Sequence, residues 1–310
     1  MDALLYWLAR ALVAVVQALP LPWVVKLGRA GGAVAFALDA RHREVALRNL
    51  AMCLGAEREP EQIEAIAREN FRRIGESYAC AIKTASMSTE EAGRVLDLSG
   101  VEKLRLTHPD GTPRNAVFAV GHFGNFEMYA RTNAAYPDHR IITTYRSLRQ
   151  PGLNRLLHQL RSRSGARFLE RRTEAAELKA AMHSGRAVLG LLADQHAGDR
   201  GLRLPLFGHD CSTSSAPAIF ALRYRCPLYP SICFRVAPGR WRVEYGDEIA
   251  THDNGHPRPI EAITTDVNRA FEAAIRRDPA NWFWVHNRWK PGKWREARSA
   301  PQTRGDRDGQ

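Results

Sequence analysis

The chain has 310 residues, 45% of them hydrophobic and 25% charged, enough for one large domain with a substantial buried core. Its 45 lysines and arginines against 33 acids give a net charge of +12, which points to an anionic partner: phospholipid headgroups, a phosphorylated sugar lipid, an acidic carrier protein or nucleic acid. Five cysteines (Cys53, Cys80, Cys211, Cys226, Cys233) show no CxxC spacing and read as free thiols of a reducing compartment. No GxSxG elbow, HExxH helix, zinc-type Cys/His cluster, Walker A or GxGxxG loop is present, which argues against serine esterase, zinc hydrolase and nucleotide-binding classes.

From the N-terminus, Ala3–Val25 is apolar apart from Arg10 and Gln17 and carries Pro20 and Pro22 near its end. The opening Met1-Asp2 is wrong for a signal peptide, so a retained membrane anchor over residues 1–30 is expected, spanning or lying in the interface. The basic residues that follow (Lys26, Arg29, Arg41, Arg43, Arg48) leave the main domain, 31–296, on the cytoplasmic side. Residues 31–50 read as helical. Pro60–Ala85 is an amphipathic helix, with Ile63, Ile66, Phe71, Ile74 and Tyr78 on one face.

Strands are predicted at Ala116–Gly121, Ile141–Tyr145, Arg167–Leu169, Ala187–Asp194, Leu228–Phe234 and Trp241–Tyr245. Helices are predicted at Phe126–Ala135, Leu153–Arg163, Glu174–His183, Ala216–Tyr224 and Ile260–Arg277, with Ser212 to Pro217 as the cap and start of the fourth. This alternation predicts an α/β fold, a mostly parallel sheet covered by helices on both faces. There are no internal repeats, and residues 297–310 read as a disordered polar tail.

The most informative stretch is Val117–Glu127, VFAVGHFGNFE. Its apolar run reads as a buried strand, and His122 stands where that strand stops, at a strand-to-helix crossing where open α/β sheets put their ligands. An imidazole there can take a proton from an alcohol, and a carboxylate on its other nitrogen, here expected from Glu127, would fix the tautomer. Gly121 and Gly124 would let backbone N–H groups approach a reacting carbonyl. Arg140 to Arg172 holds nine arginines and one acid, Glu170, a composition suited to forked recognition of phosphate or carboxylate. Leu153, Leu156, Leu157 and Leu160 form the buried stripe of the helix in this run, and Arg161 and Arg163 flank it on either side.

With further matches downstream, the chain resembles the lysophospholipid acyltransferase superfamily, and within it the late lipid A acyltransferases. Gly121-His122-Phe123-Gly124-Asn125-Phe126-Glu127 matches the HX4(D/E) signature. Tyr145-Arg146 and the arginines to Arg163 match a second block. Ala193-Asp194-Gln195-His196, Leu204-Pro205-Leu206-Phe207-Gly208 and Phe283-Trp284-Val285-His286-Asn287-Arg288-Trp289-Lys290 match later ones, with Asn287 standing where many relatives carry a second arginine.

The resemblance implies a glycerolipid acyltransferase-like fold and direct attack of a lipid hydroxyl on an acyl thioester. His122 and Glu127 would be catalytic, with Arg161, Arg163, Asp194, Arg146 and Asn125 binding substrate. Arg161 aligns with the family's functional arginine. No cofactor or metal is expected. The expected donor is acyl carrier protein or coenzyme A thioester, the expected acceptor an anionic lipid, and the expected location the cytoplasmic face of a bacterial inner membrane. The alternatives are the same chemistry on a lysophospholipid, glycolipid or aminolipid, or a non-catalytic protein that binds anionic lipid. The basic run lacks interleaved aromatics, so no nucleic acid is expected.

Overall fold

The computed structural model describes residues 2–291. In chain order the elements are α1 (Asp2–Ala18), α2 (Leu21–Leu38), α3 (Ala40–Leu54), α4 (Pro60–Thr84), α5 (Thr89–Gly93), β1 (Leu96–Ser99), β2 (Ala116–Val120), β3 (Arg140–Tyr145), α6 (Pro151–Ser162), β4 (Arg167–Glu170), α7 (Ala175–His183), β5 (Ala187–Leu192), β6 (Leu202–Leu206), β7 (His209–Thr213), α8 (Ala216–Arg223), β8 (Leu228–Ala237), β9 (Arg240–Tyr245), β10 (His252–Asp253), β11 (His256–Pro257) and α9 (Ile260–Arg277). The tail expected at 297–310 lies outside the described residues.

Seven strands form the central sheet in the order β1-β9-β8-β2-β5-β3-β4. All neighbours are parallel except the antiparallel pair β8 and β9. Every residue of β2 is buried, as a parallel strand covered on both faces requires. Alternate side chains feed two cores. Val117 and Ala119 belong to one core with Ala218 and Ala221 of α8 and Val267 and Phe271 of α9, whereas Phe118 and Val120 belong to a second with Val24 and Val25 of α2.

The N-terminal segment forms two helices where a single anchoring helix was expected. Pro20 lacks an N–H and disfavours helical backbone at the residue before it, so α1 stops at Ala18 and α2 starts at Leu21. The expected boundary between residues 30 and 31 falls inside α2. By length and composition α2 is the one helix among the described residues that is apolar enough to cross a membrane. Its inner face nevertheless buries Val24, Val25, Gly32 and Phe36. Contact with α4 is so close that a Cβ on Gly28 would lie 2.7 Å from the Gly75 carbonyl oxygen. The same junction holds Glu76, fully buried, which accepts from Arg29 Nη1 (3.3 Å), Arg235 Nε (2.9 Å) and the Gly239 N–H (2.9 Å). Removing both Arg29 and Arg235 would leave Glu76 an uncompensated buried charge.

Two further expectations are corrected. Phe126–Ala135 is not an α-helix but two 3-10 turns, Phe126–Arg131 and Asn133–Ala135. Tertiary bonds pin it instead. The Tyr129 hydroxyl accepts from the Cys233 N–H of β8, and Arg131 donates to the carbonyls of Thr84, Ala85 and Met87 at the end of α4. Ser212 and Thr213, expected in a helix cap, belong to β7. That strand pairs with β6 across a two-residue turn in which Phe207 (φ 53°) and Gly208 (φ 72°) are both left-handed.

Candidate active site

In the β2–β5 ladder Val120 pairs with Leu192. Two residues further along each parallel chain stand His122 and Asp194, so the register brings them face to face at the carboxyl end of the sheet. His122 Nδ1 lies 2.8 Å from Asp194 Oδ1, and the His122 N–H donates to Asp194 Oδ2 at 2.8 Å. The Trp282 indole N–H donates to the same Oδ2 at 2.9 Å. Burial alone would raise the Asp194 carboxyl. The His122 charge and the bonds from His122 and Trp282 outweigh it and hold the group below its ordinary range. Asp194 was expected to bind substrate; its carboxylate instead occupies the place predicted for Glu127.

Glu127 faces elsewhere. It takes a forked pair of bonds from Arg161 of α6, Nε at 3.1 and 3.2 Å and Nη2 at 2.6 Å. The Arg161 guanidinium also sits 5.8 Å from the Tyr145 ring and 5.0 Å from the Phe168 ring. Of the two arginines flanking the leucine stripe, Arg161 thus turns inward, while Arg163 ends the helix exposed and away from the cavity lining. Arg146 and Asn125 do reach that lining.

The glycines act otherwise than expected. A Cβ on Gly121 would lie 2.6 Å from the Phe123 ring and 3.1 Å from the Asp194 carboxyl carbon, so Gly121 makes room for the His–Asp pair. Gly124 adopts φ 48° where a Cβ would lie 2.7 Å from the Cys233 carbonyl oxygen. Three backbone N–H groups of this loop are committed within the fold: His122 to Asp194, Phe123 to the Gly121 carbonyl and Gly124 to the Asn281 carbonyl.

The block Phe283–Lys290, noted in the sequence only as a match to the family, supports the site together with Trp282. Asn49 of α3 donates to the carbonyls of Trp284 and His286, and Asn70 of α4 to those of Ala280 and Trp282. These bonds present Trp282 to Asp194 and the Phe283 ring to His122, with centroids 5.8 Å apart. Phe126 covers the imidazole from a second direction at 4.9 Å. Next to it, His286 Nε2 accepts the His196 N–H at 2.9 Å, and burial first of all depresses His286 to about 4, so it stays neutral. Arg288, fully buried, donates to the carbonyls of Gln195 and Ser212 and to the Thr213 hydroxyl, which ties the loop after β5 to β7.

His122 opens onto a cavity of about 850 Å³. Phe118, Val120, Ile141 and Val188 give it apolar walls, and Tyr136 and Tyr245 close it, their hydroxyls 3.2 Å apart. Arg146, Arg161 and Arg171 bring positive charge to its lining. Among the described residues no cluster of His, Cys, Asp and Glu has the makings of a metal site. All five cysteines are buried and unpaired.

A histidine paired with a carboxylate, opening onto an apolar cavity edged with arginine, has the parts that proton transfer requires. Residues 1–291 match the bacterial lipid A biosynthesis acyltransferase family, and the chain belongs to that family. It is an O-acyltransferase. It is 26% identical over 293 residues to the lipid A biosynthesis acyltransferase of Haemophilus influenzae, covering 92% of this chain and 90% of the relative. It is 24% identical over 292 residues to the lipid A biosynthesis lauroyltransferase of Escherichia coli, covering 92% and 91%. It is also 23% identical over 274 residues to the phosphatidylinositol mannoside acyltransferase of Mycolicibacterium smegmatis, covering 87% and 86%.

Proposed function

We propose that the protein transfers a fatty acyl chain from acyl carrier protein to a hydroxyl of a lipid A precursor at the cytoplasmic face of the inner membrane. The observation that carries this reading is the His122–Asp194 pair opening onto the apolar cavity. Asp194 holds the proton on Nδ1, which leaves Nε2 as the base. Nε2 takes the hydroxyl proton as the acceptor oxygen attacks the thioester carbon, and Asp194 stabilises the imidazolium that forms. When the tetrahedral intermediate collapses, the C–S bond breaks and the thiolate takes the proton from His122. The acyl chain lies in the apolar cavity, while Arg146 and Arg171 meet the phosphates of the acceptor. Glu127 holds the Arg161 guanidinium in place beside them. The exposed arginines of 140–172 suit the acidic surface of a carrier protein.

The N-terminal helices support membrane docking. Leu4, Leu8, Leu12 and Val15 of α1 and Trp23, Leu27, Val34 and Leu38 of α2 are all more than half exposed. Trp7 and Trp23 have Arg10 and Lys26 over their rings, a pairing suited to the headgroup boundary. Asp2 accepts the Gly152 N–H of α6 at 3.1 Å, so α1 is joined to the helix that carries Arg161.

Mass spectrometry of lipid A from cells lacking the protein tests this reading. Loss of one acyl-chain mass is expected, restored by the wild-type gene and not by His122→Ala. The similarity to the mannoside acyltransferase favours a glycolipid acceptor as second reading. Unchanged lipid A with an altered glycolipid would favour it over the first.

A further inference from the structure

Asn125 lies three residues after His122 and two before Glu127, is 1% exposed, and lines the cavity onto which His122 opens. Neither its Oδ1 nor its Nδ2 has a hydrogen-bond partner. A buried primary amide with both ends empty is destabilising, and folded proteins rarely leave one so without a use for it. In the same cavity lining Ser231 Oγ and His196 Nε2 also lack partners, but only Asn125 has both ends of an amide empty beside His122. The backbone N–H groups of His122, Phe123 and Gly124 all have acceptors, the Asn125 carbonyl accepts from the Met128 N–H and the Cys233 thiol, and the nearby amide of Asn281 is bonded at both ends.

The acyl-transfer reading, on which this inference rests, needs a donor, and the N–H groups of His122, Phe123 and Gly124, which follow β2, are already engaged. When the acceptor oxygen bonds to the thioester carbon, the carbonyl π pair moves onto its oxygen. That oxyanion must be met inside a water-poor cavity. Arg161 is engaged by Glu127, and His122 is the base. We propose that the Asn125 Nδ2–H is the hydrogen-bond donor to this oxyanion. It stabilises the tetrahedral intermediate until the pair returns to the C–O bond and the C–S bond breaks. A donor fixed in a buried loop needs no reorganisation at that moment, and its pairing is strongest with the charged oxygen, so it acts on the transition state more than on the bound thioester.

The test uses the purified full-length protein with an acyl carrier protein thioester and a lipid A precursor, comparing wild type, Asn125→Ala and Asn125→Asp. With a donor lost, kcat falls about 10²–10³-fold in Asn125→Ala, while KM for both substrates stays within about threefold. Asn125→Asp keeps the shape, replaces the donor by an anion and loses at least as much. Because the amide makes no bond within the fold, thermal melting of Asn125→Ala is unchanged or raised. A kcat within tenfold of wild type for either variant would overturn the assignment. So would a loss of activity accompanied by a lowered melting temperature, which marks a structural role. A wild-type protein that transfers no acyl group to the lipid A precursor would instead sink the functional reading itself, and this assignment with it.

Discussion

Arg161 reaches from α6 to grip Glu127 through two nitrogens, with Nη2 at 2.6 Å from Oε1, and neither residue touches the His122–Asp194 pair through a hydrogen bond. Both side chains are about a fifth exposed, so the pair is charge-assisted and only partly screened. In thermal or denaturant unfolding of Glu127→Gln, Arg161→Lys and the double variant, a coupling of about 0.5–3 kcal/mol is expected. Kinetically, each single variant raises KM for the lipid acceptor more than it lowers kcat. A fall in kcat alone for Glu127→Gln, with KM unchanged, would mean that Glu127 serves the base directly.

His286 gives a stability that depends on pH. Folded, its imidazole resists protonation down to about 4, whereas the unfolded chain protonates it near the ordinary value of about 6.5. Between those values the unfolded state binds more protons, so the contribution is present above about 6.5 and is lost as pH falls toward about 4. His196, also lowered by burial and by Lys290 and Arg288, has the same sign. Asp194, held below its ordinary value, acts only at more acid pH. Melting curves at neutral and acid pH should show a smaller acid-induced drop for His286→Gln, whose amide oxygen can still accept the His196 N–H. Equal drops would contradict the assignment.

The apolar faces of α1 and α2 are testable without disturbing the core, because no residue of α1 is buried. Leu8 and Leu12 are 61% and 60% exposed. Co-sedimentation with vesicles containing anionic lipid should fall at least about tenfold for the double variant Leu8→Glu, Leu12→Glu, since burying charge in the acyl boundary replaces a favourable transfer by an unfavourable one. Melting temperature should hold. Undiminished vesicle binding would remove α1 from the docking surface.

Local chemistry was legible in the sequence where one segment carries it. Val117 to Val120 announced a strand buried on both faces, and α9 runs from Ile260 to Arg277 as its apolar periodicity predicts. His122 was visible as the polar residue that ends β2. Its true partner was not, because Asp194 lies 72 residues away and only the register of β2 on β5 brings the two together. A carboxylate five residues on, at Glu127, was the nearer and misleading signal. The β6–β7 turn was hidden for another reason: a bulky Phe207 stands in left-handed backbone where glycine, asparagine or aspartate would have marked a hairpin. The 3-10 turns after Asn125 depend on bonds to α4 and β8, which no local pattern encodes.

The measurement that bears most directly on this account is the steady-state rate of Asp194→Asn. In that variant the side-chain oxygen keeps the His122 and Trp282 N–H groups that Oδ2 now accepts, so the new amide N–H₂ must face His122 Nδ1. The imidazole proton is then driven to Nε2, and the base cannot accept a proton from the hydroxyl. A fall in kcat of about 10³–10⁴-fold is predicted, in a protein that still folds and still binds its donor. Retention of kcat within tenfold of wild type would show that Asp194 does not orient the base, and the His122–Asp194 account would fail.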